Sequence, residues 1–232
     1  MTDKSSYPRA VVLDLDGTLV DSLPDIAAAL NAGLASQGMA PFDIARVRGL
    51  VGGGVKALVE RAFASLGPEY ATDPEQFRAV LGAAVAHYRA HPCDETRLYP
   101  GAREAIAELK AAGVRLALCT NKPIDITRDI LRILGVADDF EVVEGSGGPQ
   151  ALKPAPDLLL SVLARMSLAP EDAVMVGDSA ADAGCARAAG VRLVLTTHGY
   201  SSGPVADLKP DALIDGFAGL PAAIRRVGAV HG

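Results

Sequence analysis

Residues 10–15, Ala-Val-Val-Leu-Asp-Leu, form a short apolar run rich in β-branched side chains, and the run stops at Asp16-Gly17-Thr18. Such a run, closed by a turn signal, predicts a buried strand that delivers acids at its C-terminal end. From Pro24 to about His91 the pattern changes to helical spacing, over 26–37, 55–66 and 74–90, with one short strand expected at 47–51. Gly38, Pro41, Gly52-Gly53-Gly54 and Gly67-Pro68 punctuate this stretch. After Tyr99-Pro100-Gly101 strands and helices alternate. Strands are expected at 114–119, near 141–143, and at 173–176, 191–195 and 212–214. Helices are expected at 102–112, 124–134, 156–166, 180–189 and 217–227.

Repeated strand-helix-strand units with Gly at the helix exits imply an α/β fold, a parallel sheet covered on both faces. The helical block interrupts this sheet after its first strand, so it reads as an inserted domain. The expected division is a core of residues 1–20 and 97–232 and a helical insert of 21–96. Open parallel sheets bind ligands beyond the carboxyl ends of their strands. At the first exit stands Asp14-Leu15-Asp16-Gly17-Thr18, and at the second Cys119-Thr120-Asn121-Lys122. Lys153-Pro154 precedes the helix at 156, and Gly177-Asp178-Ser179 with Asp182 marks a fourth segment.

These residue types suit phosphoryl transfer. Asp14 and Asp16 lie two apart at a strand end and can face one centre. One carboxylate can attack phosphorus while the other handles the leaving group's proton. Two close carboxylates repel, which favours a cation between them or a shared proton. Asp178 supplies a third acid, and an oxygen-rich site suits Mg²⁺. Thr120 and Asn121 offer a hydroxyl and an amide to phosphoryl oxygens, and Lys153 offers a compact positive charge.

Each piece has a plainer explanation: a turn at Asp16-Gly17, a strand-to-helix cap at Thr120-Asn121, a solvated Lys153, an N-cap pair at Asp178-Ser179. None of these explains why all four segments fall on the ligand side of one sheet. Gly49 to Lys56 does not fit a nucleotide-binding loop, because Val55 separates Gly54 from Lys56 and Ala57 follows. The triple Gly is either a loop whose bare amides approach a small anion or a simple helix–helix turn. His87 and His91 have i, i+4 spacing without a third ligand, so a solvated helix face is expected. His198 reads as a loop residue that could reach the site rim.

Composition narrows the partners. Half of the 232 residues are apolar, enough for a full core, and 28 acids against 22 bases give a net charge of −6. No basic stripe for nucleic acid is present. Cys93, Cys119 and Cys185 are odd in number and widely spaced, which points to free thiols. Met1 to Arg9 is not followed by an apolar leader, and no apolar run approaches the ~20 residues of a membrane helix. A soluble cytoplasmic protein acting on a small phosphorylated metabolite is expected, as monomer or homodimer.

The ordered set DxDGT at 14–18, a strand ending at Thr120, Lys153, and GDSxxD at 177–182 resembles the haloacid dehalogenase superfamily of phosphohydrolases. The resemblance spans nearly the whole chain. It implies a Rossmann-like core with a C1-type helical cap and Mg²⁺ as cofactor. It implies Asp14 as nucleophile and metal ligand, Asp16 as acid/base with its carbonyl on the metal, and Asp178 as the acidic metal ligand. Asp182, with Ser179, would orient the metal site, while Thr120, Asn121 and Lys153 hold the phosphate. Residues 14–22, Val51-Gly52-Gly53-Gly54, Glu60-Arg61-Ala62, Thr120-Asn121-Lys122-Pro123 and Lys153-Pro154-Ala155-Pro156-Asp157 are similar to bacterial phosphoglycolate phosphatases. One departure is Gly53, where that group commonly has Asn. For a carboxylated substrate, Lys56, Arg61 and the 52–54 amides are the cap candidates. Rival activities are a sugar phosphomutase, a phosphatase for another small metabolite or pyrophosphate, and a non-catalytic phosphometabolite binder.

Overall fold

The computed structural model describes residues 7–67 and 73–228, so the expected break at Pro68 and the first residues of the N-terminal reading lie outside the described residues. Six strands form one parallel sheet: β1 (Ala10–Leu13), β4 (Arg115–Pro123), β5 (Val142–Ser146), β6 (Ala173–Gly177), β7 (Arg192–Thr196) and β8 (Ala212–Ile214), ordered β5-β4-β1-β6-β7-β8. β1 is flanked by β4 and β6, with Val11 opposite Leu116 and Val174. Every β1 side chain is buried, which is why its sequence is a continuous apolar run.

The period of two in β1 divides the core. Val11 and Leu13 join Ile106, Leu109, Phe217 and Ile224 on one face, while Ala10 and Val12 join Leu158, Val162 and Ala186 on the other. The first face is covered by α5 (Ala102–Ala111), α6 (Ile124–Ile133) and α9 (Leu220–Gly228). The second is covered by α7 (Asp157–Met166) and α8 (Ala180–Ala189). No helix among the described residues is long and apolar enough to cross a membrane.

The insert leaves and rejoins the sheet through a two-stranded antiparallel ribbon, β2 (Val20–Asp21) with β3 (Arg97–Leu98). Two-residue strands carry no readable periodicity, so the sequence pattern misses them. The buried Asp25 carboxylate braces the two crossings. It accepts the Thr96 hydroxyl at 2.6 Å, the Thr96 amide at 2.8 Å and the Glu95 amide at 3.0 Å. Within the insert, α1 (Leu23–Ala35) packs along α4 (Pro74–Ala90), with α2 (Ile44–Arg48) and α3 (Gly54–Leu66) beside them. The expected strand at 47–51 does not form: Val47 and Arg48 end helix α2, and residues 49 and 50 make a turn. Asp43 caps α2 by accepting the Arg46 amide at 2.7 Å, and Val47 is buried as a helical residue. The β-branched pair Val47 and Val51 misleads because a local cap and tertiary burial override β propensity.

The insert folds down onto the sheet. Arg89 on α4 pairs with Asp125 on α6 at 2.7 Å. Arg48 donates to the Gly199 carbonyl at 3.0 Å, and its guanidinium lies 5.3 Å from the Tyr200 ring centroid.

Candidate active site

β1, β4 and β6 are adjacent, so their C-terminal exits meet beneath the insert. One cavity of about 90 Å³ is lined there by Asp14, Asp16, Thr120, Asn121, Lys122, Lys153, Asp178 and Ser179. Its roof comes from the insert: Ile26, Leu30, Leu58, Val85, Tyr88 and the Gly52-Gly53-Gly54 loop. At about 15 Å³ per water site, the volume suits a small solute rather than a polymer.

The turn after β1 is built to admit a carboxylate. Gly17 has φ +80°, and a Cβ there would stand 2.6 Å from Asp178 Oδ2. Only glycine tolerates both the left-handed backbone and that approach. Asp178 Oδ1 accepts the Thr18 hydroxyl at 3.0 Å, and Oδ2 accepts the Tyr200 amide at 2.7 Å. Asp182 is fully buried behind it. Its Oδ2 accepts the Ser179 hydroxyl at 2.6 Å and amide at 3.0 Å, and its Oδ1 accepts Lys153 Nζ at 2.7 Å. Ser179 and Asp182 thereby form a capping box that starts α8. The plainer N-cap reading of Ser179 therefore holds alongside its place in the cavity wall.

Lys153 Nζ lies 2.8 Å from Asp14 Oδ1, 2.7 Å from Asp182 and 2.9 Å from the Cys119 carbonyl. Its backbone is held by Asn121, whose side chain accepts the Lys153 amide and donates to the Lys153 carbonyl, both at 2.8 Å. Asn121 was expected to present its amide to phosphate; here the amide clamps the loop that carries Lys153. Asp14 Oδ1 sits close to the ammonium but receives no well-directed hydrogen bond.

Burial raises the Asp14 pKa to about 6; Lys153 pulls it back down, while Asp182 and Asp16 push it up. Burial, then Asp182 and Asp14, raise Asp178 to about 8. Lys153 is pressed down by its own burial, but Asp14 and Asp182 more than offset this and hold it well above the ordinary lysine range. Oxygens of Asp14, Asp178 and Asp182 all lie within 4.8 Å of one another, a grouping that could hold a metal ion. The carboxylates of Asp14, Asp16, Asp178 and Asp182 outnumber the ammonium groups of Lys122 and Lys153 by two charges. An under-bonded carboxylate oxygen, unfavourably charged buried acids and an all-oxygen donor set fit a hard divalent cation. Asp182 has its oxygens occupied by Lys153, Ser179 and the Asp178 amide, which leaves Asp14 and Asp178 as the carboxylates with capacity for an ion.

The family model for haloacid dehalogenase-like hydrolases matches residues 8–190, from the start of β1 through α8. The chain is a haloacid dehalogenase-like hydrolase. It is similar to a curated phosphoglycolate phosphatase of Cereibacter sphaeroides, 42% identical over 217 residues, covering 94% of this chain and 98% of the relative. A phosphoglycolate phosphatase of Rhodospirillum rubrum is 43% identical, with 92% and 89% covered. The crystal structure of a predicted phosphoglycolate phosphatase from Haemophilus somnus superposes with a TM-score of 0.88 at 31% identity, covering 96% of this chain and 99% of that one.

In this hydrolase Asp14, Asp16, Thr120, Asn121, Lys153, Asp178, Ser179 and Gly53 all line the one cavity. Lys56 and Arg61 do not. Lys56 is exposed and lies 3.6 Å from Glu60, one helical turn along. Arg61 donates to the Leu50 and Gly52 carbonyls at 2.9 and 2.6 Å, bracing the glycine loop from outside. His198 contacts the Thr18 carbonyl at 3.2 Å and packs on Tyr99, outside the cavity. His87, half-buried in the last turn of α4, stacks on His91, which is exposed just past the end of that helix. All three cysteines are free.

Two positions that line the cavity were given no role by the sequence reading. Lys122 is almost fully buried, 2.7 Å from Asp16 Oδ1, with its ammonium also donating to the Tyr88 hydroxyl of α4. β4 runs on to Pro123 with a register shift between Cys119 and Pro123, so no simple strand period pointed to Lys122. Tyr200 is the other. Its hydroxyl accepts the Ser22 and Leu23 amides at 2.7 and 3.0 Å and donates to Asp21 at 2.7 Å, fixing the entry to the insert.

Proposed function

We propose that this hydrolase is a Mg²⁺-dependent phosphomonoesterase that cleaves 2-phosphoglycolate to glycolate and phosphate through an aspartyl-phosphate intermediate. The observation that carries the reading is the meeting of Asp14, Asp16, Thr120, Lys153 and Asp178 in one small roofed cavity. The named activity of relatives above 40% identity over nearly their full length supports the choice of substrate. In this reading residues 21–96 are a cap over a core of 1–20 and 97–232.

Asp14 attacks phosphorus, forming an Oδ–P bond as the P–O bond to the glycolate oxygen breaks. Asp16 delivers a proton to that oxygen. Water then attacks the phosphorus, Asp16 takes its proton, and the Asp14–P bond breaks to release phosphate. Asp16 is oriented for this by Ser22 and Lys122, which both donate to Oδ1 at 2.6 and 2.7 Å. Lys153 and the Thr120 hydroxyl meet the phosphoryl oxygens, and Asn121 holds Lys153 in place. Asp14, Asp178 and the Asp16 carbonyl would hold Mg²⁺, with Asp182 and Ser179 keeping the neighbouring turn in shape. Bound there, the ion supplies charge neutralisation for the phosphoryl oxygens. The apolar roof excludes bulk water from the site.

The test is phosphate release across a panel of small phosphomonoesters and pyrophosphate, with and without chelator, ranked by kcat/KM. Phosphoglycolate should lead the panel and chelator should abolish its turnover. Another metabolite at the top would overturn the substrate, and isomerised product in place of free phosphate would overturn the reaction.

A further inference from the structure

The cavity holds two ammonium groups, and they differ in what they have left to give. An ammonium has three N–H donors. Lys153 donates to Asp182 and the Cys119 carbonyl, and its remaining side faces Asp14 Oδ1 at 2.8 Å, so three acceptors surround it. Lys122 uses two, on Asp16 and Tyr88. Its third donor has no partner among the described residues. The rest of the roof offers an anion only the backbone of Gly52-Gly53-Gly54, since Ile26, Leu30, Leu58 and Val85 are apolar. Arg61 is spent on backbone carbonyls and Lys56 points to Glu60, outside the cavity.

We propose that Lys122 and Tyr88 together form the receptor for an anionic group on the leaving half of the substrate, so that the enzyme selects phosphomonoesters whose leaving alcohol carries a carboxylate close to its ester oxygen. The inference rests on the phosphatase reading above and deepens it. Three features support it. Lys122 touches Asp16, the group that serves the leaving oxygen, so an anion held by Lys122 is a short distance from the bond that breaks. Tyr88 accepts from Lys122 and also pairs with the Ser22 side chain; burial, with Asp16 and Asp25 nearby, holds its pKa well above the ordinary tyrosine range, so it lines the cavity as a neutral hydroxyl. The glycine loop closes the same end of the cavity. A Cβ on Gly54 would lie 3.1 Å from the Asn121 carbonyl, so the roof rests directly on the Asn121-Lys122 peptide and leaves no room for a long chain.

Because Tyr88 belongs to the insert and Lys122 to the sheet, the receptor is complete only with the insert folded down. Selection and closure are thereby one event.

The experiment compares phosphoglycolate with ethyl phosphate, which has the same length and no carboxylate, on the wild type, Lys122→Met and Tyr88→Phe. The wild type should prefer phosphoglycolate by more than about 100-fold in kcat/KM, the scale of a buried charge-assisted contact. Lys122→Met should lower that preference by about 30-fold or more and Tyr88→Phe by about 5-fold. Both substrates should lose kcat in Lys122→Met, because Asp16 loses a partner. Only phosphoglycolate should show a raised KM, and Lys122→Arg should recover part of it. Equal losses on the two substrates, or a wild type with no preference, would overturn the receptor while leaving the phosphatase reading intact. Absence of phosphate release from either ester by the wild type would overturn the phosphatase reading and the receptor with it.

Discussion

Asp14→Asn should make the metal-free protein more stable while removing its activity. Folding raises the Asp14 pKa from 3.8 to about 6, chiefly through burial. The folded state therefore holds a proton that the unfolded chain releases between those values, and stability falls as pH rises through that window. The cost is absent below about pH 4 and complete above about pH 6, where the ~2-unit shift corresponds to about 3 kcal/mol. Asparagine mimics the protonated acid in shape and polarity without the charge, and Lys153 keeps Asp182 as its anion. In chelator at pH 8 the variant should therefore melt about 6–12 °C above the wild type, taking about 2–4 °C per kcal/mol for a chain of this size. The gap should close as pH falls to 4. Saturating Mg²⁺ should lift the wild type alone, by about 3 kcal/mol at a hundredfold excess over Kd, and erase the difference. Thermal unfolding followed by circular dichroism at pH 4, 6 and 8, with chelator or with Mg²⁺, reads all of this. A variant that melts below the wild type in chelator at pH 8 would show that the Asp14–Lys153 pair stabilises the fold, and the reasoning from buried charge would fail.

Other consequences can be checked alongside. Asp16→Asn should lower kcat for phosphoglycolate about 10²–10⁴-fold with its melting temperature nearly unchanged, and a loss under tenfold would remove it from proton transfer. Gly17→Ala should cost about 1–3 kcal/mol in chemical denaturation and most of the activity, because its Cβ would displace the Asp178 carboxylate. Lys56→Ala should leave kcat/KM within about twofold, since the side chain is exposed outside the cavity, and a larger drop would mean the insert closes further on substrate. Asp25→Asn should destabilise the protein by about 2 kcal/mol through its bonds to Thr96 and Glu95; urea unfolding indistinguishable from wild type would show that the brace is idle.

The four acid- and lysine-bearing segments were legible because each sits where a strong local signal ends. The run at 10–13 had to be a strand, and a parallel sheet sends strand ends to one side, so Asp14, Thr120 and Asp178 could be grouped without coordinates. Lys122 was not legible. A lysine after a strand is ordinarily solvated, and its burial depends on Tyr88, which arrives from a helix of the insert. The role of Asn121 was hidden for a similar reason, since its partner is a backbone segment 32 residues away. Arg61 drew attention as a charge near the glycine loop, but spacing cannot say which side of the loop a guanidinium takes.

The central claim is that Asp14 carries the phosphoryl group. It is tested most directly by mixing the wild-type enzyme with phosphoglycolate and Mg²⁺, quenching in acid within one turnover, reducing with borohydride and sequencing the peptides by mass. The account predicts that position 14 alone is converted to homoserine, the reduction product of an aspartyl phosphate, and that Asp14→Asn gives neither the product nor more than about a thousandth of wild-type phosphate release. Steady turnover with position 14 unmodified, or reduction at another residue, would contradict it.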